Sequence, residues 1–234
     1  MVLGLYYITK ERPGAKGSGL KFYGPEDVII AHDGKVIDLH APIEVRLPKD
    51  KQDLSKGYEM VKTTAGRIIV NQNMPEEVPY VNEVLGKKAL RSVITQVIKS
   101  TGVTRTAKFL DDIKNLGYDQ AFRAGISFNL GDVLIPEEKT ALIEKGYNDV
   151  ETIKMNYSMG FITNNERYNK VIDLWTSIDN QLTAIVAKQI SADQQGFNPV
   201  YMMLDSGARG PPQQIKQLGG MRGLMAKPQK SGAA

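Results

Sequence analysis

Hydrophobic and polar positions change their spacing along the chain. In the first hundred residues the apolar runs are short and rich in β-branched residues, and two of them flank Asp33-Gly34, a pair typical of hairpin turns. The run from Val2 to Ile8 and the segment KTTAGRIIVNQNMP also predict strands. We therefore expect a β-rich N-terminal region with long connections.

From Val81 onward the spacing becomes helical. Gly102 is expected to end a first helix, and a second, shorter helix is predicted over residues 104–125, with a break at Gly117. The segment GISFNLGDVLIP is predicted to be extended again. The apolar stripe of the first helix consists of Val84, Leu85, Leu90, Val93, Ile94, Val97 and Ile98.

The most regular pattern covers residues 136–190. Thr163 and Glu166 form a T-x-x-E capping box that starts a helix, and Gly146 is expected to bend the helix before it. Two such helices joined by a tight turn predict an antiparallel hairpin that projects as an arm, with an exposed tip near Asn164. The second helix carries apolar residues at alternating steps of three and four, which is a heptad seam: Tyr168, Val171, Trp175, Ile178, Leu182 and Ile185.

Composition and charge narrow the classes of protein to which this chain can belong. The 234 residues are 41% hydrophobic and 24% charged, which is ordinary for a globular protein of one or two domains. The net charge of +4 permits an anionic partner without requiring one. The absence of cysteine excludes disulfides and thiolate metal sites. The apolar start is too short for a signal peptide or a membrane span, so we expect a cytoplasmic protein without a membrane partner.

Residues that could catalyse a reaction do not form a recognisable set. His32 and His40 fall on either side of the predicted hairpin turn and do not face each other, so they predict no metal site. Without cysteine, and with the histidines so placed, nucleophilic triad chemistry has no support. Aspartates at alternate positions, which a two-metal site would use, are also missing. We therefore assign no catalytic or metal-binding residue.

Two features could bind an anion. The helix GKKALRSVITQVIKS carries spread basic residues, a pattern more typical of a solvated face than of a nucleic-acid surface. Near the C-terminus, GARG and GGMRG combine arginine, whose planar fork suits phosphate oxygens, with glycine, which lets a phosphate approach the main chain. These two motifs predict either an anion-binding loop or a flexible tail, and their spacing does not decide between the two.

The amino-acid sequences of several segments resemble those of a known family. YMMLDSGARGPPQQIKQLGGMRGLMAKP closely resembles the segment before the bridge helix in the largest subunit, β′, of bacterial RNA polymerase. VLGLYYIT, TTAGRIIVNQNMP, LGKKAL, GISFNLGDVLIP and ERYNKVIDLW resemble other β′ segments, in the same order and with similar spacing. The resemblance therefore covers essentially the whole chain.

The resemblance implies an α+β fragment of a larger multi-domain subunit. Residues 1–134 resemble the pore module, which lines the secondary channel through which nucleotides reach the active site. Residues 135–196 resemble the rim helices, an antiparallel coiled coil at the mouth of that channel. Residues 197–234 resemble the segment that leads to the bridge helix and contains the F-loop. The chain is expected to begin after the aspartate loop and to end before the bridge helix.

The resemblance also implies roles for individual residues. Arg209 of GARG matches the arginine that contacts the triphosphate of the incoming nucleotide, and Arg222 of GGMRG matches a region that supports the moving parts of the active site. Asn169, Lys170 and Asp173 match rim positions where secondary-channel factors and the alarmone guanosine tetraphosphate act in some bacteria. Helical spacing places these three on one face of their helix.

The implied enzyme is DNA-directed RNA polymerase, a nucleotidyltransferase, and the chain would work only inside it. The catalytic Mg²⁺ would be bound outside this fragment. The implied partners are the other polymerase subunits (β, α, ω and the remainder of β′), DNA, RNA, nucleoside triphosphates and secondary-channel transcription factors. Two other hypotheses come from the residue patterns alone. One is a stand-alone coiled-coil scaffold that binds a protein partner, and the other is a free RNA-binding protein with salt-dependent affinity.

Overall fold

The computed structural model describes residues 1–225, which form two compact units. The first unit contains Met1–Ser127 and Met202–Arg209, and the second contains Phe128–Tyr201 and the chain from Gly210 onward. Long helices and one small sheet give an α+β fold, as predicted. Residues 226–234, the last part of the predicted segment 197–234, lie outside the described residues.

The first unit begins with a helix where we predicted a strand. Helix α1, Val2–Thr9, packs against the long helix α4, Lys87–Arg123. A short apolar run buried on several sides does not reveal its period, so strand and helix look alike in sequence. Close packing with α4 favours the helix, because Gly4 lies directly on Gly117. A Cβ added to Gly4 would come within 1.9 Å of the Gly117 carbonyl oxygen.

The predicted hairpin about Asp33-Gly34 is also wrong, because helix α2, Pro25–Asp33, occupies its first arm. Pro25 stands in the first turn, where a missing N–H costs nothing, and acidic residues follow it. Gly34 ends the helix and donates its N–H to the Ile30 carbonyl at 2.9 Å. His32 therefore lies on a helix, with its side chain 31% exposed, whereas His40 is buried in the following loop.

Three strands form the only sheet of the described residues, in the order β1-β2-β3. Strand β1, Lys21–Phe22, runs parallel to β2, Pro42–Pro48, and β2 pairs antiparallel with β3, Tyr58–Thr64. Alternate residues of β2 enter the core: Ile43, Val45 and Leu47. The sheet is smaller than the β-rich region that we predicted, since two segments predicted as strands form helices α1 and α2 instead.

The predicted strand in KTTAGRIIVNQNMP is only partly correct. Its first residues belong to β3, but Ala65–Gln72 forms helix α3, whose first turn is capped by the Thr64 hydroxyl, which accepts a hydrogen bond from Arg67 N at 3.3 Å. Helix α3 packs closely on α1, because a Cβ on Gly66 would lie 1.8 Å from the Ile8 carbonyl oxygen. This close contact requires glycine at position 66, and the spacing of apolar residues along the sequence could not predict it.

Helix α4 carries part of the apolar stripe that we predicted: Leu90, Val93 and Val97 lie in the core, whereas Ile98 is 45% exposed and Val84 and Leu85 precede the helix. The chain leaves helical geometry at Gly102 (φ 77°, ψ 177°), which agrees with the predicted end of the first helix. The predicted break at Gly117 is wrong. The helix runs through that residue, where the missing side chain makes room for Met1, whose carbonyl oxygen would lie 2.8 Å from an added Cβ.

The second unit contains the predicted helical hairpin. Helix α5, Glu138–Ser158, packs on helix α6, Asn164–Ala192, after a tight turn. The capping box is present: Thr163 N donates to Glu166 Oε2 at 2.7 Å, and Glu166 N donates to Thr163 Oγ1 at 3.3 Å. Helix α5 continues through Gly146, which lies against Ile178 and Trp175 of α6.

The buried seam of α6 departs from a strict heptad at both ends. Tyr168 is 60% exposed near the tip, and the C-terminal half buries Val186 and Ile190 in place of Ile185. A straight helix has 3.6 residues per turn, so a 3.5-residue seam drifts around it unless the helices supercoil. Two short helices follow α6 along the chain: α7, Pro199–Asp205, and α8, Pro212–Gly219.

Candidate functional site

The turn that carries Arg209 follows α7 and is held by its backbone. Ser206 is 1% exposed, and its carbonyl accepts a hydrogen bond from Lys87 N at 2.8 Å. Arg209 N donates to the Met203 carbonyl at 3.4 Å. Gly207 has φ +69°, a left-handed conformation that favours glycine. The backbone of DSGARG is therefore fixed, although the Arg209 side chain itself is exposed.

A buried tyrosine holds the start of the same turn. Tyr6 of α1 is 2% exposed, and its hydroxyl donates to Asp205 Oδ2 at 2.6 Å. Lys10 Nζ donates to the Tyr6 hydroxyl at 2.9 Å, and burial lowers the pKa of Lys10 while the Asp205 charge opposes that effect. This network was not predicted from the sequence. Because Tyr6 and Lys10 are four residues apart, a helical reading of VLGLYYITK could have found their pairing.

The guanidinium of Arg209 has no hydrogen-bond acceptor among the described residues, so it is available to a ligand. Arg222 follows α8 and is likewise exposed, but it belongs to the second unit. The two arginines that the sequence motifs suggested as one anion-binding loop therefore lie in different compact units. Each must be considered as a separate candidate.

Helix α8, which precedes Arg222, is fastened to α6. Lys216 forms an ion pair with Asp179, which is 8% exposed, and Ile215, the residue before Lys216, is buried. Gly219 approaches the loop before α5 so closely that a Cβ would lie 2.8 Å from the Leu134 carbonyl oxygen. These contacts orient the segment that leads into GGMRG.

A second buried polar residue in this unit was not predicted. Asn198 is fully buried, and its amide nitrogen donates to the Asp132 carbonyl at 3.0 Å and to Asp193 Oδ2 at 2.8 Å. Its carbonyl oxygen accepts from Val200 N at 2.9 Å and from Tyr201 N at 3.2 Å, so it caps α7. One side chain thus joins three segments of the unit. An Asn-Pro pair is the sequence signal that could have indicated a helix start here.

The predicted docking residues Asn169, Lys170 and Asp173 are all exposed on α6. They share one side of the helix because of their i, i+1 and i+4 spacing. The tip of the hairpin beside them exposes large apolar side chains, among them Phe161, which is 75% exposed. The others at this end are Met155, Tyr157, Met159 and Tyr168. Such a cluster is typical of a surface that contacts another protein.

Within residues 1–225, no three His, Asp or Glu side chains come together as a metal site would require. Over the same residues, no helix combines the length and the apolar character needed to span a bilayer.

Comparison with known proteins gives two family matches. Residues 1–133 match the family described as RNA polymerase Rpb1, domain 3, and residues 162–233 match the family described as RNA polymerase Rpb1, domain 4. The first match covers more than half of the chain.

Individual relatives agree with these matches. The chain is 61% identical over 233 residues to the DNA-directed RNA polymerase subunit beta' of Parabacteroides distasonis. The aligned residues are 100% of this chain and 16% of that relative. The corresponding subunit of Bacteroides fragilis is 59% identical over 234 residues, with the same coverage. That of Flavobacterium johnsoniae is 54% identical over 239 residues, or 17% of its length. The chain thus spans about one sixth of the curated relatives it matches.

Proposed function

Because the chain belongs to the RNA polymerase Rpb1 family, as a segment of a bacterial β′ subunit, we propose that it serves nucleotide access and factor docking in an assembled DNA-directed RNA polymerase. In this proposal residues 1–134 line the secondary channel, residues 135–196 form the rim arm, and residues 197–234 lead to the bridge helix. Its partners are the other polymerase subunits, DNA, RNA and nucleoside triphosphates, in the bacterial cytoplasm. The family membership favours this role over a stand-alone scaffold.

The observation that carries the proposal is the fixed turn with an exposed arginine. Ser206 and Asp205 are tied to α4 and α1, so the backbone under Arg209 is positioned before any ligand arrives. A guanidinium can make two parallel, charge-assisted hydrogen bonds to phosphate oxygens. On a nucleoside triphosphate this contact would stabilise the charge that develops on the leaving pyrophosphate.

Arg222 has a different proposed role. Arg222 is exposed, and the Lys216–Asp179 ion pair anchors the helix before it. Both observations support a role in which Arg222 contacts the moving segments of the active site and does not contact the nucleotide. The catalytic Mg²⁺ of the assembled enzyme is proposed to be held by residues outside this chain. When bound, that ion supplies charge neutralisation for phosphoryl transfer. The side chains of this chain position phosphate and protein partners.

The exposed side of α6 supports the docking role. Asn169, Lys170 and Asp173 offer polar and charged groups to a partner, and the neighbouring apolar tip offers buried area. Lys170→Ala in the assembled polymerase should leave factor-free elongation unchanged and alter the response to a factor that binds the secondary channel. Slower elongation without any factor would contradict a docking role.

The nucleotide role is tested by Arg209→Ala in the assembled polymerase. A hydrogen bond to a charged group contributes about 1.5–3 kcal/mol, so kcat/KM for the incoming nucleotide should fall by about 10- to 150-fold. Arg91→Ala, which removes an exposed arginine from α4, is the matched control and should elongate normally. Wild-type elongation by Arg209→Ala at limiting nucleotide would refute the assignment.

A further inference from the structure

One face of the small sheet in the first unit is open. The inward residues of β2 are buried, whereas the opposite face exposes side chains from all three strands. Tyr23, directly after β1, is 76% exposed, and Tyr58 and Met60 of β3 are 46% and 51% exposed. These values show that no described part of the chain forms a layer over this face.

Arg46 lies at the centre of the open face between two aromatic rings. Its guanidinium carbon is 4.5 Å from the centroid of the Tyr23 ring and 4.2 Å from that of the Tyr58 ring. No described carboxylate forms an ion pair with Arg46. The guanidinium covers one side of each ring, and the high exposure of Tyr23 means that the other side of its ring is accessible.

Two lysines extend the positive charge of this face. Lys21 and Lys62 stand opposite Glu44 in the strand register, one on each side of it. Lys21 Nζ is 3.0 Å from Glu44 Oε2, so this carboxylate neutralises one of the lysines. Together with Arg46, the face carries three cations and one anion. We call Lys21, Tyr23, Arg46, Tyr58 and Lys62 the aromatic platform.

We propose that the aromatic platform binds single-stranded RNA, with a base stacked on Tyr23 and phosphates held by Arg46 and the flanking lysines. Aromatic rings on an open sheet face, interleaved with cations, suit single strands, because every base has a π face and every linkage carries a negative charge. Three cations against one carboxylate on this face favour a polyanionic partner. The choice of RNA over DNA rests on the proposed function of the chain within an RNA polymerase.

The proposal is tested on the 234-residue chain with fluorescein-labelled U12 and A12 RNA, using fluorescence anisotropy over a range of KCl concentrations. Tyr23→Ala should raise the Kd by about fivefold or more, as loss of one stacked base does, and Tyr23→Phe should retain wild-type affinity. Arg46→Ala should weaken binding and also reduce the slope of log affinity against log salt by about 0.7, the value for one phosphate contact on a single strand.

Matched controls come from the same unit. Tyr118 of α4 is 60% exposed and Arg91 is exposed on the same helix, so Tyr118→Ala and Arg91→Ala remove the same residue types away from the platform. Both should bind RNA like wild type. The proposal is overturned if wild type binds no RNA, if the platform variants match these controls, or if the corresponding DNA strands bind more tightly.

A second measurement uses the assembled polymerase. Hydroxyl-radical footprinting should find Tyr23, Tyr58 and Met60 reactive without added RNA and protected when RNA is added. Protection already present without RNA would mean that another polymerase segment covers the sheet, and would overturn the proposal. Arg209 is not part of the platform, so failure of its nucleotide role and failure of RNA binding are separately observable.

Discussion

Replacing Asn198 should destabilise the second unit more than any comparable polar substitution on its surface. The side chain is fully buried and makes four hydrogen bonds, two as donor and two as acceptor. Asn198→Ala removes the cap of α7, which costs about 1 kcal/mol. It also leaves the Asp132 carbonyl and the Asp193 carboxylate without a donor, at about 1 kcal/mol or more each. We expect a loss of about 3 kcal/mol in the free energy of unfolding.

Tryptophan fluorescence during urea unfolding measures this loss. Trp175 is the single tryptophan of the chain and lies in α6, within the same unit as Asn198, so its fluorescence reports unfolding of that unit. With a urea m-value of about 2 kcal/mol/M, a 3 kcal/mol loss lowers the midpoint by about 1.5 M. Asn180→Ala, on an exposed position of α6, is the control and should shift stability by less than about 0.5 kcal/mol.

A second variant separates the capping role from the bridging role. Asn198→Asp keeps the acceptor that caps α7 but loses both donors and places a carboxylate beside Asp193. At neutral pH it should be less stable than Asn198→Ala because of like-charge repulsion, and it should recover as acid protonates the pair. If both variants unfolded at the wild-type urea midpoint, Asn198 would not join the three segments and the reasoning would fail.

Three further predictions concern other parts of the chain. Burial lowers the pKa of His40 below its ordinary value of 6.5, so the unfolded chain takes up a proton that the folded chain resists. Stability of the first unit should fall as pH drops below about 6.5 and level off once the folded histidine titrates, and His40→Gln should remove this dependence in pH-dependent urea unfolding. Gly66→Ala should cost at least about 2 kcal/mol despite a helix-propensity gain of about 1 kcal/mol, because the new Cβ would meet the Ile8 carbonyl; wild-type thermal stability would contradict this. Thr163→Ala should destabilise the start of α6 by about 1 kcal/mol, seen as faster hydrogen exchange at Glu166 N and its neighbours, while exchange near Ile190 stays unchanged.

The parts of the fold that local chemistry specifies could be predicted. The capping box at Thr163 and the repeated apolar spacing of α6 define a helix start and a buried side without help from distant residues. The family could also be predicted, because several matching segments occur in one order. The proposed roles of Arg209, Arg222, Asn169, Lys170 and Asp173 depend on that resemblance and stay predictions.

The parts that depend on distant contacts could not be predicted. VLGLYYIT is apolar at almost every position, so its sequence shows no period, and only its packing against α4 makes it a helix. The Asp33-Gly34 pair is a hairpin signal in isolation, but here it ends a helix that begins at Pro25.

The candidate sites also combine features that local sequence specifies with features that depend on distant contacts. The sequence by itself determined which residue types are present in DSGARG, and with them the chemistry that Arg209 can offer. Only the tertiary structure decided that Tyr6, 199 residues from Asp205 along the chain, holds that turn, and that Tyr23 and Tyr58 meet on Arg46. Hydrogen bonds and ring contacts act over a few ångströms in space, so their partners are set by how the chain returns on itself and not by their separation in sequence.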